Sequence, residues 1–209
     1  MDENELKSKY KQKAVESFDT KFEIFLFDLL SNHMKFNKET AKLFSSFEIK
    51  EKHIEKYTSA WQIKYNSDEY LGWVKQIDEE IKRIHEEEKD LISSLKKEYI
   101  KEENFSKLFK YEDFANLYNN EKCFYCGITE KMINQLIEKK KLYKKHISRG
   151  WTFEIDRRKP NLEYTKDNSV LCCYWCNNAK TDEFSDIEFA AIGEEIRKIW
   201  LKRLNDDKR

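Results

Sequence analysis

Apolar residues recur at helical spacing through much of the first hundred positions. Phe18, Phe22, Phe25, Leu26, Leu29 and Leu30 repeat at three- and four-residue intervals, which predicts a helix from Ser17 to Met34. A shorter helix is expected around Glu39 to Phe47. Val74, Ile77, Ile81, Ile84, Leu91, Leu95 and Tyr99 fall close to a seven-residue stripe, so one long helix is expected from Asp68 to about Lys101. Glu88 breaks that stripe at one position. Such a helix either packs on its own domain or forms a coiled-coil-like arm that dimerises or holds a partner.

The pattern changes beyond the linker-like KYEDFANLYNNEK. CFYCG is a tight turn carrying two cysteines, and TEKMINQLIEKKKLYKK reads as a basic helix. In WTFEIDRR, Phe153 and Ile155 face one way and Glu154 and Asp156 the other, the period of a half-buried strand that Pro160 ends. DNSVLCC predicts a second short strand and YWCNNAKTD a helix. Ser185 and Glu188 have capping-box spacing at the head of a last helix. Ile187, Ala190, Ala191, Ile196, Ile199 and Trp200 are expected to form its apolar face.

Composition sharpens this picture. Four glycines and one proline in 209 residues favour long helices over a turn-rich β architecture, and 14% aromatic residues exclude a largely disordered chain. Basic and acidic residues number 40 each, so bulk charge identifies no partner, but its distribution does. Ten basic residues lie between Lys131 and Lys159 against three acidic ones, a local excess of seven. No apolar run is long enough to span a membrane, and MDENELKSKY lacks a signal-peptide core, so a cytoplasmic protein is expected. Thiols stay reduced in that compartment, and the five cysteines then point to metal rather than disulfides.

Cys123-x-x-Cys126 and Cys173-x-x-Cys176 form two Cys-x-x-Cys knuckles, each presenting two soft ligands to a tetrahedral zinc. Gly127 and Asn177 suit a tight backbone after each pair. Cys172 is expected to be a core thiol. The fold class that follows is mainly α with a small α+β core: a helical region over residues 1–112 and a zinc-stabilised domain over 113–209.

The order Cys-x-x-Cys, Glu-Ile-Asp-Arg, Asp-Asn-Ser-Val-Leu-Cys-Cys-Tyr-Trp-Cys-Asn-Asn-Ala-Lys resembles the HNH, or ββα-metal, endonucleases over about Cys123 to Asp182. The resemblance implies a ββα-metal core, hydrolysis of DNA phosphodiester bonds and one catalytic Mg²⁺ or Mn²⁺. Asp156 matches the family's acidic metal ligand, and Asn177 the helix position of a metal-binding histidine or asparagine. Asn168 matches the asparagine that braces the loop between strands, and Lys180 a lysine placed to touch phosphate. The chemistry agrees: a hard cation takes oxygen ligands such as a carboxylate and an amide carbonyl.

Arg157 stands where the family has its catalytic histidine, and a guanidinium does not readily give up a proton. Three readings stay open. Glu154 or His146 takes the proton from water, or Arg157 clamps phosphate while a distant base acts, or the site binds nucleic acid without cutting it. Lys140, Lys141, Lys144, Lys145, Arg149 and Arg158 would track a phosphate backbone, giving affinity without sequence readout. Tyr143 and Trp151 could stack on an opened base, with core packing the better use of Trp151.

The first function expected is therefore a metal-dependent endonuclease. A small HNH-like domain with a helical extension also resembles the nuclease partners of ATPases in anti-phage defence, which would make the long helix a docking arm, with homo-oligomerisation as the other use. The rival expectations are a zinc-folded DNA-binding module disabled at Arg157, and an assembly protein whose zinc domain braces a helical oligomer.

Overall fold

A computed structural model of the chain describes residues 2–65, 72–142 and 151–206. Two compact units form: Met1–Leu108 with Asn161–Glu163, and Phe109–Pro160 with Tyr164–Arg209. No helix among the described residues is long and apolar enough to cross a membrane.

In the first unit, α1 spans Glu3–Ser31, starting well before Ser17. Its early turns are mostly Lys and Glu, which hid the helical spacing of Tyr10 and Ala14, both buried. Asp2 caps the start by accepting the Glu5 amide at 2.8 Å. The far end closes at His33, whose φ of 61° lets its own amide and that of Met34 return to the carbonyls of Leu30 and Leu29. A 3-10 helix over Thr40–Ser46 and α2, Glu51–Tyr65, follow. Phe18, Phe22, Phe25 and Phe44 pack with ring centroids 5.3–6.5 Å apart. Each such ring contributes roughly 1.5–3 kcal/mol of burial.

The long helix expected from Asp68 is instead α3, Trp73–Glu87, and α4, Lys89–Tyr99, joined at Glu88 with φ −105° and ψ 28°. Glu88 is the residue that interrupts the stripe. Residues 68–71 lie outside those described. Val74, Ile77, Ile81 and Ile84 enter the core of this same unit, and Leu91, Leu95 and Tyr99 pack at its edge. The stripe therefore packs on its own unit. The short α5, Glu102–Phe105, brings Phe105 onto Tyr10 with ring centroids 5.1 Å apart.

Polar groups are enclosed here at two places: Asp78 between the amines of Lys64 and Lys82, and Lys21 beside half-buried Tyr99 and Glu163. The Tyr99 hydroxyl donates to Glu163, and the Lys21 amine lies 5.1 Å from the centre of the Phe44 ring. Burial lowers the Lys21 pKa and raises that of Glu163, the Lys21 charge opposing the second shift.

The second unit opens with α6, Tyr111–Leu117, where a linker was expected. Phe114 explains it: fully buried, it packs edge-on against Phe109 and Tyr118. Next, α7 covers Glu130–Glu138 and stops before the lysines. Lys140 adopts φ 53°, and the amides of Lys140 and Lys141 close back on Ile137 and Leu136. A Schellman end without glycine is hard to read from sequence. The basic run is thus not a helix face at residues 139–142.

β1, Glu154–Arg157, pairs antiparallel with β2, Ser169–Cys172, in the register Glu154 with Cys172 and Asp156 with Val170. α8, Tyr174–Lys180, covers the sheet, and α9, Asp186–Asn205, starts at the expected Ser185–Glu188 capping box. The inward residues of α9 are Phe189, Gly193, Ile196, Trp200 and Leu204. Ile187 and Ile199 are 80% and 50% exposed, and Ala190 and Ala191 are exposed too, so the apolar face expected there is rotated. Phe189, with its ring on Tyr125, sets the true face.

Candidate metal centre and active site

The first knuckle is a two-residue turn. The Cys123 amide donates to Ile128 and the Gly127 amide to Cys123, both at 2.9 Å, with Gly127 at φ 67°. Only the glycine follows expectation; Asn177 lies within α8 in ordinary helix. The second knuckle is the head of that helix, with Cys173 as N-cap and Cys176 on its first turn. The Phe124 amide reaches the Leu171 carbonyl at 2.9 Å and ties the first knuckle to β2.

All four sulfurs are buried and lie within 4.8 Å of one another, with Cys126 and Cys173 3.7 Å apart. Tetrahedral bonds of ~2.3 Å place thiolate sulfurs about 3.8 Å apart, so this cluster fits zinc. Shared protons set the thiols against one another: donation from Cys126, then Cys173 and Cys176, holds Cys123 well below the ordinary thiol range. Cys173 and Cys176 are pushed above it, chiefly by donating to Cys123. A cation held by the four sulfurs would take the place of those protons. Cys172, buried on β2, stays outside the group of four.

Beside the cluster, Glu154 and Asp156 share one face of β1, and α8 lies over it. Asn177 Nδ2 donates to Glu154 Oε2 at 2.5 Å. Asp156 is 9% exposed, and its Oδ2 accepts from the Tyr125 hydroxyl at 2.6 Å and faces the Lys180 amine at 3.3 Å. Burial, and then the charge of Asp156, push the Tyr125 pKa up, so this phenol remains a donor. Among the described residues, the Oδ1 atoms of Asp156 and Asn177 have no hydrogen-bond partner. One carboxylate oxygen and one amide oxygen are thus left over, a donor set suited to a hard cation.

Lys180 does not take the place expected of it. It is wholly buried, donating to the Arg157 carbonyl at 2.8 Å and pairing with Asp156. An amine so enclosed cannot reach a phosphate backbone. Asn168 bridges its loop, accepting the Lys159 amide at 2.8 Å and donating to the Lys159 carbonyl at 3.1 Å. The Arg157 side chain is 12% exposed, with its guanidinium 5.1 Å from the centre of the Tyr164 ring and 3.5 Å from Asp182. Arg158 is turned inward at Nε, which donates to Asp186 at 2.6 Å, and sits 5.8 Å from the Phe124 ring centre.

Lys140 is exposed and Lys141 half-buried. His146, Lys144, Lys145, Arg149 and Tyr143 lie outside the described residues. Trp151, expected in the core, is 43% exposed. Sequence reasoning missed Tyr125, because a tyrosine inside a knuckle reads as spacer between ligands.

Two antiparallel strands under a helix, a four-cysteine metal cluster and a buried strand aspartate define the architecture of this unit. No protein-family model and no curated protein matches the chain. A solved structure of the rare-cutting HNH restriction endonuclease PacI is similar to it, at 30% sequence identity and a TM-score of 0.37. That similarity covers 46% of this chain and 66% of the other, so the chain spans less than two thirds of the length of PacI.

Proposed function

We propose that the second unit is a metal-dependent endonuclease acting on DNA phosphodiester bonds. The observation that carries this reading is the pair of unengaged oxygens, Oδ1 of Asp156 on β1 and Oδ1 of Asn177 on α8. Zinc belongs to the cysteines, and Mg²⁺ or Mn²⁺ to these oxygens. When bound, such a cation supplies charge neutralisation at the scissile phosphate and its leaving oxygen.

The protein's own groups do the rest. Glu154 holds the Asn177 amide by its nitrogen, which turns the amide oxygen away from it. Glu154 is also the described carboxylate on the face of Asp156, and we assign it the proton of the attacking water, with His146 the other choice. Arg157, fixed on Tyr164, supplies positive charge beside the phosphate. Lys140 and Lys141, with Lys144, Lys145 and Arg149, add sequence-independent affinity.

The test is relaxation of supercoiled plasmid in Mg²⁺, Mn²⁺ or EDTA. Nicking in either metal and none in EDTA is expected. A second reading, binding without cleavage, is favoured by Arg157 at the histidine position. It predicts plasmid retardation in gels with no nicking in any metal.

A further inference from the structure

The hydroxyl that holds Asp156 comes from inside the zinc knuckle. Tyr125 is the residue before Cys126, so its backbone is fixed by the same turn that presents two sulfurs. Its ring is 8% exposed and stands edge-on against Phe189 of α9, at 5.2 Å between centres and 85° between planes. The α9 backbone also presses on the Tyr125 peptide: a Cβ on Gly193 would fall 2.8 Å from the Tyr125 carbonyl oxygen. The ring is therefore clamped from turn and helix alike, and its hydroxyl points at one atom, Asp156 Oδ2, at 2.6 Å. A carboxylate held at one oxygen presents the other in a set direction, and such outer partners govern how well a first ligand binds its metal.

We propose that Tyr125 is a positioning residue that carries the order of the zinc knuckle to the catalytic cation site. It fixes Asp156 Oδ2 so that Oδ1 faces the cation, and the affinity of that cation then depends on the knuckle. The inference rests on Asp156 being a cation ligand, as proposed above.

The experiment uses the full chain with its zinc in place and Mn²⁺ as the probe, free Mn²⁺ being read by its solution electron-paramagnetic-resonance signal. Three proteins are compared: wild type, Asp156→Ala and Tyr125→Phe. A parallel sample of each, with Co²⁺ in the cysteine site, reports through its thiolate absorption bands whether the knuckle is intact. The phenylalanine keeps the ring on Phe189 and removes only the donor. The expected result is Mn²⁺ affinity weaker by about tenfold or more in Tyr125→Phe, with the cobalt bands unchanged. Asp156→Ala should lose the site.

Loss in Asp156→Ala with wild-type affinity in Tyr125→Phe would overturn the proposal and leave the function standing. Equal binding by all three would remove Asp156 as ligand, and the proposal with it. Altered cobalt bands in Tyr125→Phe would also overturn it, because the hydroxyl would then be holding the knuckle rather than the carboxylate.

Discussion

The two units are stabilised by different physics. In the first, phenylalanines and isoleucines from α1, α3 and the 3-10 helix fill one core, and its buried polar groups are few, among them Lys21 beside Tyr99 and Glu163, and Asp78 between Lys64 and Lys82. In the second, cysteines take core positions, and Asp156, Asn168, Ser169, Lys180 and Asp186 are buried around two four-residue strands. Buried polar groups cost stability unless they are paired. A metal bound by the four cysteines would offset part of that cost in the second unit, where Asp156, Asn168, Lys180 and Asp186 are paired.

Removing zinc should separate the two units most strongly. A structural zinc is worth ~10–16 kcal/mol to a small domain, so Cys176→Ala or chelation should unfold the second unit alone. The near-ultraviolet circular dichroism of the tilted Trp175–Trp200 pair, 4.8 Å between ring centres, should vanish while most helical signal stays. Equal loss of helix in both units would count against two independent modes of stabilisation. Phe22→Ala does the reverse: about 3–5 kcal/mol lost from the first unit in denaturant titration, with cobalt bands of the cysteine site unchanged.

Glu163 gives a smaller, pH-dependent effect. Its folded pKa lies above 4.5, so the folded state holds more protons than the unfolded chain in the window just above that value. Its contribution is complete below the unfolded pKa and is lost as pH rises through the folded one. Glu163→Gln should flatten that slope in melting temperatures taken from pH 4 upward; an unaltered slope would assign it elsewhere. Smallest is the cap of α9, where Ser185→Ala should cost about 1 kcal/mol by removing the acceptor of the Glu188 amide.

Much of this is legible in the sequence. Strong periodicity located the aromatic half of α1, and Cys-x-x-Cys spacing located the metal cluster, because both signals are local. The readings that failed depend on partners distant in sequence. Lys180 looks like a phosphate contact until the Asp156 carboxylate, 24 positions upstream, draws it inside. Tyr125 looks like a spacer until β1 brings Asp156 to it, 31 positions away. The face of α9 was misjudged because Ile187 and Ile199 outweigh a glycine on any hydropathy scale. Gly193 nevertheless marks the buried side, where the backbone of α9 closes on the knuckle.

Under the proposed function, Asp156 carries the metal-dependent nuclease activity. Its most direct measurement is the rate of plasmid nicking in Mn²⁺ by wild type and by Asp156→Ala, each checked for one zinc per chain. The variant is expected to keep its zinc and its fold and to lose at least about a hundredfold in rate. A zinc-loaded Asp156→Ala protein that nicks at the wild-type rate would contradict that function.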